Sequence, residues 1–79
     1  WGGEEFLILC PETDSSGAAS AAESVRAAIE SAELSIPVTV TVSVGASELA
    51  HGESVTALVS RTDKKLYAAK AKGRNRVVA

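Results

Sequence analysis

The sequence predicts an α+β domain whose elements run strand, helix, strand, helix and short strand. Three observations predict it. A short apolar run ends at Pro11, valines alternate with threonine or serine over residues 38–44, and two other segments repeat apolar residues at helical spacing. Such an order fits half of a split βαβ sandwich.

Glu5 to Cys10 is nearly continuous in apolar residues, which suits a strand buried on both faces. Cys10 within it reads as a buried thiol behaving as a small hydrophobe. Gly2-Gly3 just before is a turn signal and can close a hairpin whose first strand lies upstream. Glu12 to Gly17 is a polar loop in which Asp14, Ser15 and Ser16 are all competent helix N-caps. Ala18, Ala22, Val25, Ile29 and Ala32 then mark one apolar helix face, and its alanines let the helix lie close to a sheet. Pro37 stops any helix before it.

Val38 to Gly45 carries the clearest strand pattern, with one packed face and one moderately polar face, as in an antiparallel sheet covered on one side. Ala46 to Glu53 is a loop with Gly52 as its turn residue. The second helix runs from a Ser54 cap through Lys72, burying a stripe of Val55, Leu58, Val59, Thr62, Leu66 and Ala69. Gly73 stands where a left-handed residue ends a helix, and Val77-Val78 form a last short strand.

The 79 residues suffice for one domain. A hydrophobic content of 46% with 23% charged residues places the chain among globular proteins rather than disordered tails. A net charge of −2 argues against a nucleic-acid groove. The charge is uneven, because Arg61, Lys64, Lys65, Lys70, Lys72, Arg74 and Arg76 crowd the last third. That permits an anion site there, although a solvated helix face reads the same way. One cysteine excludes an intrachain disulfide and fits a reducing compartment. No apolar stretch approaches membrane-spanning length, so no direct membrane contact is expected.

Few residues carry chemistry. Glu4 and Glu5 follow a glycine pair at the mouth of a strand; in a turn both can approach one hard divalent cation, whereas on a strand they diverge. Lys70 and Arg74 combine a compact charge with a planar fork, a pair suited to gripping a polyphosphate. A lysine in a last turn also simply complements the helix dipole. Asn75 reads as a residue that bonds backbone groups of its turn. His51 has no second His nearby in sequence and no metal-ligand pattern.

Three segments, in order, carry a family resemblance. Gly2-Gly3-Glu4-Glu5-Phe6, preceded by Trp1, resembles the signature of the GGDEF family in its GGEEF form. Val40-Thr41-Val42-Ser43-Val44-Gly45 is similar to that family's central strand, and Arg61 to Val77 to its C-terminal helix and following turn. The resemblance implies that residues 1–79 are the C-terminal part of a nucleotide-cyclase-like (ferredoxin-like) sheet-and-helix domain, with the N-terminal half absent. It implies a diguanylate cyclase, which condenses two GTP into cyclic di-GMP and releases pyrophosphate, working as a homodimer of domains with Mg²⁺ or Mn²⁺. The fragment alone is then expected to be inactive, and to self-associate to cover exposed sheet edges. A degenerate GGDEF domain that senses or binds GTP or cyclic di-GMP without turnover is the alternative.

Carried over by position, Glu4 is a metal ligand that helps deprotonate the attacking hydroxyl, and Glu5 serves the same metal–nucleotide site. Gly2 and Gly3 leave room for the nucleotide, and Lys70 and Arg74 clamp its terminal phosphates. Phe6 and Tyr67 are read as packing residues. The family's first metal aspartate, its guanine-reading Asn and Asp, and its inhibitory product-binding motif all belong upstream of Trp1. Family membership also points to a bacterial cytoplasmic domain, often joined to a sensor.

Overall fold

The computed structural model describes residues 10, 12–32 and 40–79. The expected Gly2-Gly3 turn and all of the first strand but Cys10 lie outside these residues, as do Phe6 and Pro37. Cys10 is exposed and not buried as expected: it stands at the end of the apolar run beside a polar loop, and no described residue covers it.

Helix α1 spans Ser15–Glu30. Asp14 is its N-cap, with Oδ1 accepting a hydrogen bond from the Gly17 N–H at 2.7 Å. One of the unpaired donors of the first turn is thereby satisfied. A second, the Ser15 N–H, donates to Glu48 Oε1 at 2.7 Å, so a distant loop helps to cap the helix. Ala22 is buried on the expected face, while Val25 is partly exposed. Ala32 is exposed because the helix ends before it, at Glu30.

Helix α2 spans Val55–Ala71, capped by Ser54 Oγ, which accepts from the Ala57 N–H at 3.1 Å. Ala69 is fully buried, and Leu58, Val59, Thr62 and Leu66 are half-buried. Val55, assigned to the same stripe, is 70% exposed. It begins the helix about two and three turns before Thr62 and Leu66, where the strand backbone crosses. Tyr67, read as a packing residue, is 76% exposed, because the step of roughly 100° from Leu66 carries it off the packed stripe.

Strands β1 (Val44–Gly45) and β2 (Val77–Val78) pair in parallel, Val44 with Val77 and Gly45 with Val78. The Val44 N–H donates to Arg76 O at 2.9 Å and the Ala46 N–H to Val78 O at 3.0 Å. Of the strand expected over 38–45, only Val44–Gly45 pairs among the described residues; residues 40–43 form no ladder there, and 38–39 lie outside them. The pairing described is parallel, where the alternation alone suggested an antiparallel sheet. Parallel neighbours need a long crossover, and α2 supplies it, making β1–α2–β2 a βαβ unit.

Both helices pack on this strand pair. The buried apolar residues among those described are Ala22, Ala46 and Ala69, so the layers meet through small side chains. Gly45 takes this to its limit. A Cβ there would stand 2.5 Å from Thr62 O and 2.6 Å from Leu66 N, so β1 lies directly against the α2 backbone.

Candidate functional site

The end of α2 is where the described structure concentrates the expected functional residues. Lys70 lies in the last turn and Lys72 is the C-cap. Gly73 follows with φ +122°. The Arg74 N–H donates to Ala69 O at 3.0 Å and the Gly73 N–H to Lys70 O at 3.4 Å. These two bonds form a Schellman closure, which satisfies carbonyls the helix would otherwise leave unpaired. The left-handed turn does not stop at glycine: Arg74 has φ +63° and Asn75 φ +46°. Asparagine tolerates that region and arginine does so at a cost.

Other elements hold the turn in place. The Asn75 N–H donates to Ser43 Oγ at 3.1 Å. Asn75 Oδ1 accepts from Arg26 Nη1 at 2.8 Å, and Asn75 Nδ2 donates to Glu30 Oε2 at 2.5 Å. The amide can face only one way here, with its oxygen toward the guanidinium and its nitrogen toward the carboxylate. The expectation that Asn75 bonds backbone groups of its own turn is therefore corrected. Its side chain reaches α1, which approaches from 45 and 49 residues earlier in the chain.

Arg26 is the hub of this contact, and its side chain is only 16% exposed. Its Nε lies 2.9 Å from Glu23 Oε2 and its Nη1 3.2 Å from Glu30 Oε1. The hydrogen bonds Arg26 donates to Glu23 come first in pushing its pKa up, and the one to Glu30 adds to it. Glu30 is held below the usual carboxylate range, first by the Asn75 amide and then by Arg26. All three groups are thus locked in their charged or bonded forms around the turn.

Two adjoining shallow depressions lie on the outer face of α2. One is lined by Asp63, Leu66, Tyr67 and Lys70, the other by Tyr67, Lys70, Ala71 and Arg74. The structure therefore brings Lys70 and Arg74 together, as expected, and adds the exposed Tyr67 between them. Gly2, Gly3, Glu4 and Glu5 lie outside the described residues. Among the described residues no cluster of three or more His, Cys, Asp or Glu is placed to hold a metal, so the metal assignment rests on Glu4 and Glu5 alone.

The basic last third does not act as one patch. Arg61 grips Glu53 and also donates to Glu48 O at 2.7 Å, while Lys65 Nζ donates to Ala46 O at 3.1 Å. Both cations brace the loop after β1. Sequence reasoning also missed Arg26 and Glu30 as partners of the site. Their spacing to one another signals a helix-surface ion pair, and nothing in it points to residue 75.

The family model described as "Diguanylate cyclase, GGDEF domain" matches residues 1–76. Diguanylate cyclase DgcM of Escherichia coli strain K12 is 43% identical over 79 residues, covering 100% of this chain and 19% of that protein. Diguanylate cyclase A of Treponema denticola is 38% identical over 81 residues, covering 98% of this chain and 22% of the relative. Response regulator PleD of Caulobacter vibrioides is 37% identical over 84 residues, covering 99% and 18%. The chain thus spans about a fifth of the length of the curated relatives it matches. No solved structure matches. Among the described residues no helix is long and apolar enough to cross a membrane.

Proposed function

This chain belongs to the GGDEF family of diguanylate cyclase domains, and on that premise we propose that it is the signature-bearing part of a domain that condenses two GTP into cyclic di-GMP. In the reaction the 3′-hydroxyl of each GTP attacks the α-phosphate of the other. A new O3′–phosphorus bond forms, the bond to pyrophosphate breaks, and the hydroxyl proton is lost.

The observation that carries this reading for the described residues is the shared depression of Lys70 and Arg74 at the end of α2. A point charge beside a planar fork suits the β- and γ-phosphates, whose charge must be balanced before the leaving group departs. The exposed Tyr67 lines both depressions. Gly2 and Gly3 make room for the nucleotide. Glu4 and Glu5 are assigned to a Mg²⁺ or Mn²⁺ ion, which when bound lowers the pKa of the attacking hydroxyl and offsets phosphate charge. In this reading the active unit is a homodimer of domains in the bacterial cytoplasm. The chain alone makes no product, because the upstream metal and guanine ligands are not among its residues. Partly or largely exposed Val25, Val40, Leu49 and Val55 support its self-association.

The test is chromatographic detection of cyclic di-GMP from GTP and Mg²⁺, with the chain alone and with the full-length protein. Product from the full-length protein, lost on Glu4→Ala, supports the reading. A folded, dimeric full-length protein that makes none overturns it.

A further inference from the structure

The turn that presents Arg74 is not self-sufficient. Three successive residues, Gly73, Arg74 and Asn75, have positive φ, at +122°, +63° and +46°. Only the first is glycine, so such a stretch persists only where its surroundings hold it. On the helix side the Schellman bonds hold it. Beyond the helix, among the described residues, the hydrogen bonds that fix residue 75 reach elsewhere in the fold: its N–H donates to Ser43 Oγ, its Oδ1 accepts from Arg26 and its Nδ2 donates to Glu30.

We propose that Asn75, held by Arg26 and Glu30 of α1, is a positioning residue that fixes the Arg74 guanidinium for the terminal phosphates of the nucleotide. This deepens the function proposed above and rests on it. Arg74 precedes the clamped residue directly, so the clamp determines where its Cα and side chain start. Arg26 has little freedom of its own, because Glu23 and Glu30 hold its other donors. The clamp thus transmits the position of a whole helix to the phosphate site. Such an arrangement saves the entropy that a mobile arginine would lose on binding. Releasing it should weaken the grip on phosphate while leaving reactions at the α-phosphate largely intact.

The test uses the full-length protein and four variants: Asn75→Gly, Arg74→Ala, the double variant of these, and the paired swap Asn75→Asp with Glu30→Gln. Glycine keeps the positive φ accessible and removes only the clamp. The swap exchanges donor and acceptor, so that residue 30 donates to residue 75 and Arg26 keeps an oxygen partner. Binding of a non-hydrolysable GTP analogue and the KM and kcat for GTP are measured for each. Asn75→Gly should raise the KM and the analogue Kd about tenfold, equivalent to the loss of a pairwise coupling of ordinary size, with kcat changed less than about twofold. In the Arg74→Ala background the same substitution should change neither, and the swap should restore affinity to within about threefold of the parent. An undiminished effect of Asn75→Gly without Arg74 would show a merely structural role and overturn the inference. If Arg74→Ala leaves analogue binding untouched, the phosphate assignment itself falls, and this inference with it.

Discussion

Arg61 holds Glu53 through two parallel hydrogen bonds, Nε to Oε2 at 3.0 Å and Nη2 to Oε1 at 2.7 Å. Glu53 Oε1 also accepts from the Ala50 N–H at 3.0 Å, so one carboxylate ties the loop after β1 to the body of α2. With Arg61 first and the backbone second, the Glu53 pKa falls from 4.5 to about 2. A lowered folded-state pKa favours the fold above the unfolded value and ceases to do so as pH drops through the folded one. Stability should therefore decline between pH 4.5 and about 2. Urea denaturation across that range should show a shallower decline for Glu53→Gln, which has no charge to lose.

Gly45 should not tolerate a side chain. The atoms its Cβ would meet, Thr62 O and Leu66 N, are backbone and cannot rotate away. Gly45→Ala is expected to cost about 1–3 kcal/mol through overpacking. Gly45→Val should cost more despite its better strand propensity. Thermal melts followed by circular dichroism would check both.

At the start of α1, Asp14→Ala should cost about 1 kcal/mol, because the Gly17 N–H loses its acceptor. Asp14→Ser should be close to neutral. Urea midpoints of the three proteins give the comparison, and a larger loss for serine than for alanine would contradict the capping role.

Gly73→Ala tests the turn at the other helix. An alanine at φ +122° is strained, and its Cβ would meet Arg76 Nη2 at 2.9 Å, the far end of a flexible side chain. The arginine can move aside, so the backbone dominates, at about 1–2 kcal/mol. Unfolding midpoints compared with Gly52→Ala are informative. Residue 52 also has positive φ, but at +75° it lies near the left-handed helical region and has no neighbour within 4 Å, so if backbone strain is the cause Gly73→Ala at +122° should cost more.

Lys70→Ala and Arg74→Ala should each raise the KM for GTP in the full-length protein by roughly ten- to a hundredfold, the range for loss of a charge-assisted phosphate contact. Both variants should lose part of the parent's dependence of KM on ionic strength, because the deleted cation no longer contributes an attraction that salt screens. Steady-state kinetics at several ionic strengths would show it. A kcat effect without a KM effect would place these residues elsewhere in the reaction.

Both described helices were legible in the sequence because their signals are local. Asp14 and Ser54 cap within three residues, apolar side chains recur every three or four, and Gly73 marks the stop. The family, too, was legible, because Gly2 to Phe6, the stretch ending at Gly45 and the Arg61–Val77 stretch keep their order and residue types. The pairing of Lys70 with Arg74 followed from their residue types, a compact charge and a planar fork flanking the helix end.

What only the tertiary structure decided are contacts between distant segments. Alternating valines predict a strand but not its partner, and a ladder extends only as far as a neighbour runs beside it. So Val38–Gly45 reads longer in sequence than the two-residue parallel pairing with Val77–Val78 seen among the described residues. Exposure of Val55 depends on where the strands cross α2, which periodicity does not encode. The Asn75 clamp joins side chains 45 and 49 residues apart. No local pattern can specify such a contact, because it exists only once α1 and the turn after α2 have docked on the same pair of strands.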